Sequence, residues 1–375
     1  MTIAADSSRI DTSHDLRFMS LALALGRRGL GNTWPNPSVG AVIVAPDGVI
    51  VGRGWTQPGG RPHAETEALG RAGVAARGAT LYATLEPCSH HGKTPPCADA
   101  TIAAGIARVV SALEDPNPEV AGDGHARLRV AGITVDVGLC AEEARQAHAG
   151  HIRRVRDGRP HVTLKLAVSS DGKVGLAGRR PVRITGDAAQ ARVHLMRAMN
   201  DAVMTGIGTA LSDDPLLSCR LPGMEGRSPV RVVLDPLLRL PLASRLAQSA
   251  RKIPVWIVAS VAAAHDRETA LRDLGLEVLR VEGTGRPHLT ATLELLATRG
   301  ITRLMIEAGP VLAAAFVAAD LVDEAALFRA PTALGSDALD ALEAIPLTGL
   351  TGSSRLVRHG VEPVGHDMLE TFLRP

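Results

Sequence analysis

The sequence predicts two α/β domains in one chain, and three observations carry this. The length, 375 residues, exceeds what one ordinary hydrophobic core serves. Short apolar runs alternate with longer helix-forming segments, as in chains that lay helices over sheets. That alternation breaks at Asp157-Gly158-Arg159-Pro160, a stretch of turn chemistry, and then restarts. Domains are therefore expected at 1–157 and 158–375.

Asp11-Thr12-Ser13 offers caps for a helix through Leu16, Met19, Leu21, Leu23 and Leu25, stopped by Gly29 and Gly31. Trp34-Pro35-Asn36-Pro37-Ser38 is a turn. Val39–Val44 and Val49–Val51 read as strands joined by Asp47-Gly48, a hairpin signal. His63-Ala64-Glu65 opens a helix through Ala68 and Leu69, and Thr80–Thr84 is a strand that delivers Cys88. A helix over Ala98–Ala104 follows Cys97, then a strand over Ala107–Leu113 and a loop at Asp115-Pro116-Asn117-Pro118. A helix and a strand through Ile133–Val137 complete the first domain, and Glu142–Arg156 reads as one basic helix leaving it. In the second domain strands are expected at Val162–Val168, Ala202–Thr205, Val230–Leu234, Val255–Ala259, Glu277–Val281, Arg303–Ile306 and Ala325–Phe328. Helices are expected at Ala188–Met199, Ala262–Leu274, Leu289–Thr298 and Pro310–Ala319.

Composition excludes several classes. Hydrophobic residues make up 45%, near the globular average, so the chain is not disordered. The net charge is +2 without a Lys/Arg block, and aromatic residues are only 2%, so neither a phosphate-tracking surface nor base-stacking platforms are expected. No nucleic-acid partner follows. The start Met1-Thr2-Ile3-Ala4-Ala5-Asp6 lacks a basic-then-apolar signal pattern, and no apolar run has transmembrane length. A cytoplasmic protein without a membrane partner is expected. Four cysteines in a chain this long are not a disulfide framework, and Cys140 and Cys219 read as small buried side chains.

Cys88 and Cys97 read differently. With His63 they supply the sulfur and imidazole donors that zinc prefers, three protein ligands leaving one position open for water. Glu65 follows the histidine by two residues and is suited to moving a proton to and from water on such a metal. Zinc deaminases use this order: His-x-Glu, Pro-Cys, then a second Cys, with the Glu as proton shuttle. Placing His63, Cys88 and Cys97 at helix starts would favour thiolates and a metal-bound anion. The competing reading is a closed structural zinc with His90 or His91 as fourth ligand; the carboxylate of Glu65 argues against it.

Residues 14–155 closely resemble the deaminase domain of the bifunctional riboflavin-synthesis deaminase-reductases. The marks are Pro35-Asn36-Pro37-Ser38-Val39-Gly40, His63-Ala64-Glu65, Asp115-Pro116-Asn117-Pro118 with Val120-Ala121-Gly122, and above all Glu86-Pro87-Cys88-Ser89-His90-His91-Gly92-Lys93-Thr94-Pro95-Pro96-Cys97. Cytidine and tRNA-adenosine deaminases share the zinc logic with a shorter cysteine spacing. The resemblance implies a cytidine-deaminase-like α/β/α zinc domain with Asn36, His90 and Lys93 contacting substrate.

The second half carries Lys165-Leu166-Ala167-Val168-Ser169-Ser170-Asp171-Gly172-Lys173, then Asp213-Asp214-Pro215-Leu216-Leu217-Ser218-Cys219-Arg220, then Glu307-Ala308-Gly309-Pro310 before an Ala-rich helix. Glycine lets a backbone approach a phosphate and a helix start favours an anion. The absence of Gly-x-Gly-x-x-Gly argues against a Rossmann site. In this order the stretches resemble the reductase domain of the same family, which implies a dihydrofolate-reductase-like α/β fold using NADPH. Carried over by position, the resemblance puts Ala167, Arg183, Thr209, Asp213, Gly309, Pro310, Val311, Leu312, Ala313, Ala314 and Ala315 at the cofactor. It puts Pro181, Arg197, Leu217, Arg220 and Glu307 at the substrate, with Lys165 beside the reacting carbon. The family's aromatic Trp-Ile-Thr is Arg183-Ile184-Thr185 here, and an arginine could meet a phosphate instead.

The implied chemistry is hydrolytic deamination of a diaminopyrimidinone ribosyl phosphate, with Glu65 as proton shuttle, then NADPH reduction of the ribosyl group to a ribityl chain. Lys165, helped by Glu307, is the expected proton donor, and Arg197 and Arg220 fit a phosphate as guanidinium forks. A homo-oligomer, dimer or tetramer, is expected. Two other classes fit less well: a nucleic-acid or free-nucleotide deaminase, disfavoured by the cysteine spacing and charge, and a zinc-stabilised binding protein, which would not need Glu65.

Overall fold

The computed structural model describes residues 12–90, 95–118, 121–179, 182–282 and 288–375. The chain divides into two compact units, Met1–Arg156 and Asp157–Pro375. No described helix is long and apolar enough to cross a membrane.

The first unit is built on strands β1 (Gly40–Val44), β2 (Ile50–Trp55), β3 (Thr80–Ala83), β4 (Arg108–Ser111) and β5 (Thr134–Val137), in the order β2-β1-β3-β4-β5. β1 runs antiparallel to both neighbours; β3, β4 and β5 are parallel. Side chains alternate across the sheet as strand geometry requires. Ala41, Ile43, Leu81 and Val109 join one core cluster, with Ala64 and Ala68, Ala98 and Leu128 from the helices Ala64–Ala72, Cys97–Ala103 and Asp123–Val130. Val42, Val44, Tyr82 and Val110 join the other, with Phe18, Met19 and Leu23 of the helix Thr12–Arg27 and Ala144 of the helix Ala141–Ala147. Helices thus cover both faces, an α/β/α sandwich. The segment Glu142–Arg156, expected as one helix, is two: Ala141–Ala147 closes at His148, and Ala149–Asp157 begins directly after.

The second unit contains β6 (His161–Val168), β7 (Lys173–Gly175), β8 (Ala202–Gly206), β9 (Val230–Leu234), β10 (Val255–Ser260), β11 (Glu277–Val281), β12 (Arg303–Ile306), β13 (Glu324–Arg329), β14 (Leu339–Asp340), β15 (Val357–Val364) and β16 (Asp367–Leu373). The main sheet has the order β11-β10-β9-β8-β12-β6-β13-β16-β15, and β7 pairs with β14 apart from it. From β11 to β13 every pairing is parallel; β16 and β15 add an antiparallel edge. Parallel strands covered on both faces read as near-continuous apolar runs, and β10 is buried along its whole length. The crossovers put the carboxyl ends of β8, β12 and β6 side by side. Such an edge, where loops lead into helix starts, is where α/β sheets take ligands. The edge hairpin β15–β16, the short β7 and β14, and the helix Ile207–Asp213 were not expected from sequence.

Candidate active sites

In the first unit His63 is the N-cap of the helix Ala64–Ala72, and Cys97 is the first residue of the helix Cys97–Ala103. Cys88 departs from expectation. It lies in the irregular segment after β3, not at a helix start. It still meets a helix start, since its sulfur accepts a hydrogen bond from the Cys97 amide at 3.3 Å. His63 Nδ1 lies 3.6 Å from Cys88 Sγ and 3.4 Å from Cys97 Sγ. Zinc bonds of about 2.3 Å to sulfur and about 2.05 Å to nitrogen give tetrahedral edges of about 3.6 Å, so the donor set fits that ion. Among the described residues no fourth histidine, cysteine or carboxylate completes this group, and His90 is exposed.

The electrostatics point the same way. The side-chain hydrogen bond from Cys97 brings the Cys88 thiol down to about 4, with His63 assisting. The same bond, then burial, pushes the Cys97 thiol up. The two shifts are opposite in sign, and a bound cation favours ionisation of both sulfurs. Glu65 stands in the first turn after His63, only 3% exposed, and its Oε2 has no hydrogen-bond partner among the described residues. Burial above all raises its carboxyl, as a group that must hold and release a proton requires. Asn36 donates from Nδ2 to Gly60 O at 2.8 Å, which fixes its amide beside the strap leading into His63. Lys93 lies outside the described residues.

In the second unit β12 ends at Ile306, which pairs with Leu164 of β6, so Glu307 follows next to Lys165. Glu307 is gripped by Arg197 of the helix Asp187–Ala198, with Nε to Oε1 at 2.6 Å and Nη2 to Oε2 at 2.8 Å. Burial works to raise the Glu307 carboxyl, but Arg197 prevails and holds it below the usual range. Lys165 is half-buried, and burial pushes its ammonium below the usual lysine range against the pull of Glu307. Arg197 also donates from Nη1 to Ser218 O at 3.1 Å. Its fork is thus held within the protein by Glu307 and Ser218. Arg220 is exposed. The side chain of Leu217 is buried in the core, with φ +52 at its backbone.

Along the same edge Gly309 caps the helix Pro310–Ala318, and its N–H donates to Thr209 Oγ1 at 3.0 Å. Ala313 and Ala314 are buried, while Val311, Leu312 and Ala315 are partly open. Ala167 is half-buried on β6, and Asp213 is exposed at the end of the helix Ile207–Asp213. Arg183 is exposed and paired with Asp187 of the following helix turn. Pro181 lies outside the described residues. Sequence reasoning missed His194, whose Nδ1 is 3.0 Å from Ser218 O and 3.4 Å from Arg220 N. Its one available signal was its place one helical turn before Arg197.

Residues 12–113 match the cytidine and deoxycytidylate deaminase zinc-binding region, and residues 160–368 match the RibD C-terminal domain. The chain is 43% identical over 335 residues to the riboflavin biosynthesis protein RibD of Escherichia coli strain K12, covering 86% of this chain and 89% of that one. The solved structure of Acinetobacter baumannii RibD, form 1, is similar with a TM-score of 0.86 at 36% identity, over 97% of this chain and all of that one. A Thermotoga maritima diaminohydroxyphosphoribosylaminopyrimidine deaminase/5-amino-6-(5-phosphoribosylamino)uracil reductase gives a TM-score of 0.84 at 34% identity, over 98% of this chain. A zinc-site unit of deaminase type joined to a reductase unit, over nearly the full length of these relatives, leads to one conclusion: the chain belongs to the RibD family of riboflavin-biosynthesis enzymes, zinc deaminase and NADPH-dependent reductase in one.

Proposed function

We propose that His63, Cys88 and Cys97 hold the zinc and that Glu65 is the proton shuttle of the deaminase. The substrate in this reading is 2,5-diamino-6-(5-phosphoribosylamino)pyrimidin-4(3H)-one. Zinc, when bound, supplies a Lewis acid that lowers the pKa of a coordinated water toward neutrality. Glu65 takes the water proton on its free oxygen and returns it to the departing amine. Asn36, His90 and Lys93 orient the pyrimidine. The observation that carries the reading is a buried carboxylate with an unpartnered oxygen, placed two residues from an imidazole that two sulfurs approach at zinc-like edges.

The reductase product in this reading is 5-amino-6-(5-phosphoribitylamino)uracil. NADPH supplies the hydride, and Gly309, Val311 and Leu312, with Thr209, Ala167 and Asp213, bind it at the sheet edge. Glu307, kept ionised by Arg197, holds Lys165 protonated beside the reacting carbon. Lys165 Nζ then gives its proton to the atom that gains charge as the ribose opens. A lowered amine pKa makes that transfer easier at neutral pH. Arg220 is the arginine left to grip the substrate phosphate, with Leu217 and Pro181 near the ligand. The enzyme in this reading works in the cytoplasm as a homo-oligomer.

The test is Glu65→Gln. The variant is expected to keep its zinc and lose deamination by about 10²–10⁴-fold, the usual worth of a proton shuttle. A near-wild-type rate would refute the role.

A further inference from the structure

Glu86 stands two residues before Cys88, is 5% exposed, and is not one of the group His63, Cys88 and Cys97. Its carboxylate accepts three backbone N–H groups from one distant segment. Oε2 takes Asp115 N and Gly122 N, each at 3.0 Å, and Oε1 takes His125 N at 3.1 Å. Gly122 is the N-cap of the helix Asp123–Val130, so Glu86 supplies from another part of the chain the cap that this helix lacks in its own sequence. The contact is close: a Cβ on Gly124 would lie 2.0 Å from Pro87 O. One turn further on, Arg127 donates from Nη1 to Ser89 O at 3.2 Å and pairs through Nε with Asp99 at 2.7 Å. Asp99 belongs to the helix that Cys97 begins. One short helix therefore grips the chain just before Cys88, just after it, and just after Cys97.

We infer that Glu86 and Arg127 are positioning residues of the zinc centre. The Asp123–Val130 helix clamps the segments that carry both sulfurs and fixes their separation for the metal. This rests on the assignment of His63, Cys88 and Cys97 as ligands. Groups that orient metal ligands from behind typically change affinity or activity by about 10–100-fold when removed. Glu86→Ala leaves three buried amides without an acceptor. Glu86→Gln keeps one good acceptor oxygen but turns an NH₂ toward an N–H, so its effect should be intermediate.

The test uses the zinc-loaded full chain and follows transfer of zinc to an excess of a chromophoric chelator. NADPH-dependent reduction of the deaminated substrate serves as a check that the chain is intact. Arg145→Ala, which removes an exposed pair with Glu142, is the control. Glu86→Ala should release zinc at least about 10-fold faster than wild type, with Glu86→Gln between them. Arg127→Ala should also release zinc faster, and its deamination kcat should fall more than its KM rises. A role confined to holding the fold would lower the melting temperature yet leave zinc release from the folded chain unchanged. Wild-type release rates in all the folded variants would overturn the positioning role alone. If Glu86→Ala does not fold, Arg127→Ala decides, since its side chain is 42% exposed. A wild-type chain with no zinc to release would overturn the ligand assignment and this inference with it.

Discussion

Replacing Arg197 with leucine should destabilise the C-terminal unit by leaving a carboxylate buried and unpaired. The Arg197 and Glu307 side chains are 12% and 10% exposed and joined by two short hydrogen bonds. Removing one partner of such a pair costs about 3–5 kcal/mol, because the remaining charge loses its compensation. Lys165 nearby offsets part of this, so about 3 kcal/mol is expected. In a unit of this size that corresponds to a fall of about 6–12 °C in melting temperature. Calorimetry on the full chain can follow it, taking as the C-terminal transition the one that NADP(H) raises. The sign with pH is fixed as well. The folded Glu307 carboxyl is depressed in wild type, so its contribution is present above the unfolded value and lost as pH falls through the folded one. In the variant burial is opposed only by the weaker pull of Lys165 and His194 and raises the carboxyl, so the deficit should be larger at pH 7 than at pH 5. Arg197→Leu with Glu307→Leu should recover most of the loss, since apolar replacement of a whole buried pair is often neutral. A shift below about 2 °C, or a double variant no more stable than the single one, would refute the reasoning.

Three further outcomes test the reductase half. Lys165→Met should lower kcat and kcat/KM together while NADPH still binds, because a proton donor acts on the transition state. In wild type the alkaline fall of the reduction rate should come below the ordinary lysine range, since burial depresses this amine; a fall only at the ordinary value would contradict its role. Arg220→Ala should mainly raise KM for the phosphorylated pyrimidine, with little further loss on a dephosphorylated substrate. Equal weakening of wild type and variant by phosphate removal would show that Arg220 does not hold the phosphate.

The parallel core was legible because its strands are apolar runs, and the zinc donors because His-x-Glu and the two cysteines combine in a fixed order. The edge hairpin was not. β15 is mostly exposed and carries Pro363, so it lacks the alternation that marks a half-buried strand. The segment Glu142–Arg156 shows one basic periodicity, but its break at His148 is a backbone event that periodicity does not record. Cys88 was expected at a helix start because its pKa needs one. The structure meets that need through the Cys97 amide, a contact between loop and helix that local sequence does not reveal. The pairing of Arg197 with Glu307 is not legible either, because the two are distant in sequence. In the sequence Glu86 is only part of the motif, because the amides it holds lie 29 to 39 residues away.

The central claim is that one chain performs both steps at separate sites. It is tested by incubating the full-length protein with the diaminopyrimidinone ribosyl phosphate, with and without NADPH and with and without a zinc chelator, and reading the products by mass. Without NADPH the product should have one amino group exchanged for oxygen and nothing more. With NADPH it should also gain two hydrogens, and the chelator should block the first change while pre-deaminated substrate is still reduced. Reduction that stops when zinc is removed, or deamination that continues without it, would contradict the account.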